Sequence, residues 1–306
     1  MRVAWLHSHN LPTRVCVLLS TIMLAVISGG SQGIGLAIGE IYRSQGWEVV
    51  LVARTESKLE VASRKVGASY IAADVSVPSE CARVFKELGE VPDLVFCCAG
   101  AAQPGMFLEM APEDLAKNLR TVYDTALYFS QAALKVMAAA ADKHTVRRHL
   151  VYCSSTVAVF PFIGYSAYAP AKAAIRSLSD IVRQECMEHN IRVSHILPGS
   201  ADTEGYAVEE LTKPAITKTI EGASKPLPPA DVARIVVSQL QNGNDTIYSD
   251  TISWVLGSMM MGISPRAGTG FLQTLVGVFL VIFGPVVRWF IHKDIRGASE
   301  ESRKLR

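Results

Sequence analysis

The sequence predicts an α/β fold, a parallel sheet whose strands alternate with helices, and three observations lead to it. Short apolar runs recur between amphipathic stretches of helical period. The first run, Val26-Ile27-Ser28, ends directly in Gly29-Gly30-Ser31-Gln32-Gly33-Ile34-Gly35, and a helical pattern (Ile34, Ala37, Ile38, Ile41, Tyr42) starts at once. Far downstream, Tyr168 and Lys172 stand four residues apart, with Ser155 thirteen residues before the tyrosine.

Taken in order, strand, glycine turn and helix form the geometry that sets a dinucleotide's pyrophosphate against the unpaired N–H groups of a helix N-terminus. Gly29 allows the tight turn, Gly33 lets the backbone approach the phosphates, and Gly35 lets the helix pack on the strand, with Ser31, Gln32 and Ile34 completing the loop. The second strand, Glu48 to Ala53, delivers Arg54. An acid there would bind the ribose 2′-hydroxyl of NAD, whereas a base accommodates the 2′-phosphate of NADP. With Arg54 in place and Lys58 one turn on, the expected cofactor is NADP(H). The third strand runs from Ser69 into Asp74-Val75, which is placed to meet the adenine. The fourth, from Leu94, runs into the small-residue turn at Ala99-Gly100. His149 to Cys153 and Ile191 to Ile196 read as further strands, and Asp231 to Leu240 as the last helix of the domain, after the proline cluster Ser224 to Pro229.

A Tyr and a Lys four apart share one helix face, one turn from each other. The ammonium can lower the phenol's pKa, which is about 10 when unperturbed, and the Ser155 hydroxyl can hydrogen-bond the same substrate oxygen. On its own a Tyr-x-x-x-Lys is most often a solvated helix face; the upstream glycines and Arg54 are what turn the reading towards chemistry. Ser154 competes with Ser155, and the thirteen-residue offset favours Ser155. Pro170 requires that the helix begin close to Tyr168, because only in a first turn does a missing N–H cost little.

From about Met23 to about Gln241 the chain resembles the short-chain dehydrogenase/reductase family. The glycine motif, Asp74-Val75, Ser155, Tyr168, Lys172 and Pro198-Gly199 carry the resemblance, with Cys97-Cys98-Ala99-Gly100 where the family usually has Asn-Asn-Ala-Gly. It implies one Rossmann-type, doubly wound domain over residues 23–245, with about seven parallel strands and helices on both faces. It also implies that Thr203 contacts the nicotinamide carboxamide, that Lys172 holds the nicotinamide ribose, and that Tyr168 donates a proton to a ketone oxygen oriented by Ser155. A narrower likeness lies in Pro104-Gly105-Met106-Phe107, Tyr165 to Leu178, Thr212 to Thr217 and Gly262 to Arg266. These stretches are similar to the fungal 3-ketodihydrosphingosine reductases, which implies reduction of 3-ketosphinganine to sphinganine by NADPH, in sphingolipid biosynthesis, at the cytosolic face of the endoplasmic reticulum membrane. A membrane-associated reductase of a steroid, a retinoid or a 3-ketoacyl thioester is the alternative within the same class.

One position departs from the family. Where relatives carry an asparagine that anchors a water in the proton relay, this chain has Val122. Asn118, one helical turn earlier, is the candidate to take over that role, although a polar surface or near-cap position explains it equally well. Val122 also supports an alternative of another class, a weakly active or inactive cofactor-binding scaffold at the membrane.

Thirty basic against twenty-eight acidic residues give no reason to expect a nucleic-acid partner. Six cysteines without Cys-x-x-Cys spacing and seven scattered histidines argue against a metal site and a disulfide framework. Many members of the family associate through outer helices, so the resemblance allows a homo-oligomer. Residues 246–306 are expected to form a membrane-associated segment with a basic tail: Phe271 to Ile291 carries a single charge, Arg288, and at about 1.5 Å per residue it is long enough to reach across a hydrocarbon core. Gly284-Pro285 should kink it. Lys293, Arg296, Arg303, Lys304 and Arg306 follow it, so a re-entrant or interfacial helix keeps these charges on the cytosolic side better than a single span does, paired with Ile252 to Ile263. Val15 to Ile27 mimics a signal peptide, but its last residues must be the first strand, so residues 1–22 are expected to be an apolar, membrane-proximal lead-in rather than a cleaved leader.

Overall fold

The structure, a computed structural model, describes residues 22–143, 145–222, 225–260 and 270–304. The lead-in up to residue 21 and the stretch Gly262 to Arg266 lie outside the described residues.

Among the described residues the strands are β1 (Leu24–Ser28), β2 (Glu48–Ala53), β3 (Ser69–Ala72), β4 (Leu94–Cys97), β5 (Arg148–Cys153), β6 (Ile191–Leu197) and β7 (Thr246–Tyr248). They form one sheet of seven, all neighbours parallel, in the order β3-β2-β1-β4-β5-β6-β7. The order reverses at β1, where Ile27 sits in register with Leu51 on one side and Phe96 on the other. In open α/β sheets that crevice, outside the carboxyl ends of the strands, is where ligands bind.

The strands read as apolar runs because both faces are covered. Alternation along β1 sends Val26 into one core layer, with Val50, Val95, Leu150, Phe129 and Ile175, and Ile27 into the other, with Leu51, Phe96, Ile38 and Val236. Helices α1 (Gly33–Ser44), α2 (Glu56–Val66), α3 (Pro78–Leu88), α4 (Pro112–Leu119), α5 (Thr125–Ala139) and α6 (Tyr168–Glu185) connect the first six strands. A π-helical turn, Arg120–Asp124, joins α4 to α5. Pro170 is the third residue of α6, inside the first turn, where the sequence required it.

After β6 come α7 (Glu204–Thr212), α8 (Ala215–Glu221) and α9 (Pro229–Gln241), then β7. The sheet thus continues past residue 245, where the sequence reading closed the domain, because Thr246–Tyr248 adds to the edge of β6. Asp250 caps α10 (Thr251–Ser258), accepting from the Ser253 N–H at 2.8 Å.

Helix α11 (Gly270–Lys304) runs unbroken through Gly284 and Pro285. The tail is seated on the domain at its start. Its first turns lie against α10 and α8, Gln273 is fully buried, and a Cβ on Gly277 would stand 2.5 Å from the Ser258 carbonyl oxygen. Phe271 in the first turn, and Val278, Phe279, Ile282 and Trp289 further along, remain exposed. Among the described residues no helix is long and apolar enough to cross a membrane.

Candidate active site

A cavity of about 890 Å³ opens at the carboxyl ends of β1, β4, β5 and β6. At one end lies the glycine turn. Gly29 has φ +71°, and a Cβ there would sit 2.7 Å from the Ala99 nitrogen; a Cβ on Gly35 would sit 2.4 Å from the Gly29 carbonyl oxygen. The turn is therefore glycine because β4 and α1 press on it from both sides. Helix α1 starts in this cavity wall with no side-chain cap and no acid in its first turn. Its leading N–H groups can hold an anionic pyrophosphate.

Arg54 and Lys58 line the same end. The Lys58 Nζ donates to Gln32 Oε1 and to Glu204 Oε2, both at 2.9 Å, tying α2 to α1 and α7 across the mouth. Asp74 is held by Ser76, whose backbone N–H (3.0 Å) and hydroxyl (2.7 Å) both donate to Oδ1. Val75, Ser31, Gly33 and Ile34 complete this wall. Ala99 and Gly100 form the turn after β4, and a Cβ on Gly100 would come within 3.7 Å of the Lys172 Nζ. Pro198 and Gly199 follow β6, with the Gly199 N–H donating to Ser249 Oγ at 2.9 Å. Thr203 lines the cavity as the cap of α7, its Oγ1 accepting from the Tyr206 N–H at 3.0 Å.

At the other end the chain leaves β5 at Cys153 and the two serines separate. The Ser154 hydroxyl donates to the Lys172 carbonyl oxygen at 2.8 Å and so pins α6 to the sheet. The Ser155 hydroxyl lines the cavity with Tyr168, acts on the phenol to lower its pKa, and accepts from the Val157 N–H at 3.4 Å. The Lys172 Nζ lies 5.6 Å from the Tyr168 ring centre and donates to the Cys153 carbonyl oxygen at 2.8 Å.

Burial raises the Tyr168 pKa, Glu209 and Cys153 raise it further, and only the Ser155 hydrogen bond opposes them. Burial in turn lowers the Lys172 pKa below the usual lysine value. The expected lowering of the phenol by its lysine is thus not what the pocket sets. Both groups are desolvated, and for the phenol desolvation is the largest influence. Tyr168 is consequently protonated at neutral pH, the form a proton donor needs.

Asn118 does not join this group. It is buried on α4, its Oδ1 has no hydrogen-bond partner among the described residues, and it is absent from the cavity wall. Val122 points into the apolar layer with no exposure. Beside it, Thr121 and Thr125 do line the cavity, and the Thr125 Oγ1 lies 3.1 Å from the Ala99 carbonyl oxygen and 3.0 Å from that of Val122, where its proton ties the π-helical turn to the end of β4.

Sequence reading also missed the wall opposite Tyr168. Lys213, its side chain wholly buried, is ion-paired with Glu209 (3.2 Å), Glu221 (2.6 Å) and Glu210, and the Tyr165 hydroxyl donates to Glu209. The i,i+3 and i,i+4 spacing of Glu210 and Glu209 from Lys213 was a legible signal, whereas the approach of Tyr165 is a tertiary contact. Ile252, Ser253 and Leu256 of α10 close the same side.

The chain matches the family model for the short chain dehydrogenase over residues 23–213. It is 38% identical over 290 residues to the 3-ketodihydrosphingosine reductase TSC10 of Debaryomyces hansenii, covering 89% of this chain and 88% of that protein. The Saccharomyces cerevisiae protein of the same name is 32% identical, covering 89% of this chain and 95% of the relative. Among solved structures, a serine dehydrogenase in its closed form with NADP+ superposes with a TM-score of 0.65 at 21% identity, covering 74% of this chain and 94% of the other. A 3-ketoacyl-(acyl-carrier-protein) reductase from Brucella melitensis complexed with NADH gives 0.65 at 17% identity, over 74% and 96%. The parallel sheet, the glycine turn and these matches together make the chain a member of the short-chain dehydrogenase family.

Proposed function

We propose that this protein reduces 3-ketosphinganine to sphinganine with NADPH. The observation that carries the proposal is the convergence of Ser155, Tyr168 and Lys172 on a cavity whose far end presents Arg54 and Lys58 beside the glycine turn. Names of relatives matched over most of both chains support the substrate.

The residues fit the cofactor: a Cβ would fill the cradle at Gly29 and Gly35, the uncapped start of α1 suits a pyrophosphate, and the cations of Arg54 and Lys58 suit a 2′-phosphate. NADPH, when bound, supplies the hydride that converts the ketone to an alcohol. Ser155 orients the carbonyl oxygen by hydrogen bonding. Tyr168, kept protonated by its burial, donates its phenolic proton to that oxygen as negative charge develops on it. Lys172, tied to the Cys153 carbonyl, stands at the ring face and holds the ribose side of the site.

The protein works at the endoplasmic reticulum membrane with this site facing the cytosol. The row of exposed apolar side chains on α11, from Phe271 to Trp289, supports an interfacial contact of residues 246–306 with lipid. The test is NADPH oxidation with 3-ketosphinganine beside a panel of steroid, retinoid and 3-ketoacyl ketones, with Tyr168→Phe as control. Turnover of another ketone and none of 3-ketosphinganine overturns the substrate; no turnover of any overturns the enzyme reading in favour of a cofactor-binding scaffold.

A further inference from the structure

We propose that the groove between the loop Met106–Met110 and the segment Pro161–Pro170 is the binding site for the alkyl chain of the ketone substrate. The inference rests on the lipid-ketone reading above and adds where the hydrocarbon lies. This second cavity, about 420 Å³, is walled by apolar side chains such as Met106, Phe107, Leu108, Phe162 and Ile163, with Glu109 as its one charged lining residue among the described ones.

Three features connect it to the reaction. Phe162 and Tyr165 line both this groove and the main cavity. A track of aromatic rings leads from one to the other: the ring centres of Tyr168 and Tyr165 are 6.0 Å apart, and those of Tyr165 and Phe162 are 5.1 Å apart. The rings thus join the two cavities, and Phe162 and Tyr165, which line both, set the direction in which a chain attached to a carbonyl at Tyr168 would leave.

The groove is also built in advance. The Gly105 N–H donates to the Gly164 carbonyl oxygen at 2.8 Å, pinning one wall to the other. The Thr217 hydroxyl donates to the Ile163 carbonyl oxygen at 3.0 Å, and a Cβ on Gly164, at φ +91°, would stand 2.0 Å from that hydroxyl oxygen. The carbonyl oxygens of Gly164 and Ile163, in the middle of one wall, are thus already engaged within the fold. A peptide laid here would leave its own N–H and C=O groups unpaired, whereas a hydrocarbon chain needs no partners. At the rim, Phe107 is 62% and Leu108 is 96% exposed, an apolar lip of the kind a chain arriving from a lipid surface would cross.

The experiment compares 3-ketosphingoid bases of short and full chain length on the wild type, Met106→Trp, which fills the groove, and Leu108→Asp, which charges the lip. In the wild type each methylene that the groove buries should raise kcat/KM about fourfold. Met106→Trp should flatten that dependence, leaving the shortest substrate and NADPH binding unchanged, and Leu108→Asp should weaken it in the same sense. Equal losses on short and long chains, or an unchanged dependence in both variants, overturn the proposal. So does a Leu108→Asp variant whose sole change is dissociation of an oligomer in light scattering, since the lip would then meet a second copy. If the wild type turns over no 3-ketosphingoid base, the functional reading has failed, and binding of fluorescently labelled sphinganine then judges the groove alone: loss in Met106→Trp supports it, and unchanged or absent binding in the wild type sinks it. Leu108→Asp, altering a side chain that packs on almost nothing, keeps the test open should Met106→Trp fail to fold.

Discussion

Replacing Arg54 by alanine should weaken NADPH binding about tenfold and leave NADH where it was. Arg54 is exposed at the carboxyl end of β2, on the cavity wall and one turn before Lys58. A hydrogen bond to a charged group contributes roughly 1.5–3 kcal/mol, and at an exposed position the lower end applies. At about 1.4 kcal/mol per decade that is a factor of about ten in Kd. Lys58→Ala should cost less, because its ammonium is already shared between Gln32 and Glu204. Arg54→Asp should go further and favour NADH, since a carboxylate there repels the 2′-phosphate and accepts from a ribose 2′-hydroxyl. Fluorescence titration of each nucleotide into the protein alone measures all three variants without a substrate. Equal weakening of NADPH and NADH in Arg54→Ala, or no change in either, would refute the reasoning, for Arg54 would then not be reading the 2′-phosphate.

Tyr168→Phe should lower kcat by roughly 10²–10⁴ with the NADPH Kd unchanged, because it removes the proton and little of the packing; single-turnover kinetics beside a binding titration check it. His149 is largely withdrawn from solvent on β5, and desolvation is the chief cause that pulls its pKa down to about 3, against about 6.5 in an unfolded chain. The unfolded state alone takes up this proton between those values, so the stability is present above about pH 6.5 and is lost as pH falls towards 3, at up to about 1.4 kcal/mol per pH unit. His149→Gln should therefore show a shallower fall of Tm over that window than the wild type; parallel curves would count against it. Val122→Asn places an amide in a fully apolar layer and should lower stability by about 1–3 kcal/mol without raising kcat. A large gain in rate would instead mean that the native proton route is broken at this residue.

The cofactor end of the site was open to sequence reading because its determinants are local. Gly29, Gly33 and Gly35 act within one turn, and Arg54, Asp74 and Gly100 each sit where a strand has just ended, so strand positions alone place them. Tyr168 and Lys172 share a helix face by spacing. Asn118 shows the limit of locality: one turn before Val122 it was a candidate set equally against a surface or near-cap position, and across the π-helical turn Arg120–Asp124 it is Thr121 and Thr125 that line the cavity. The boundary at residue 245 failed for a related reason, since β7 is three residues long and gains its identity only by pairing with β6.

By itself the sequence located the strands, the glycine turn after β1, Arg54 and Lys58 beyond β2, and the Tyr168 and Lys172 pair with Ser155 thirteen residues before it, each legible from local pattern or fixed spacing along the chain. Only the tertiary structure decided the ionisation of that constellation, the acidic wall around Lys213, the seating of α11 on α10, and the aromatic track from Tyr168 to the groove at Met106. These come from burial and from contacts between segments distant in the chain, and desolvation depends on everything packed around a group rather than on its neighbours in sequence.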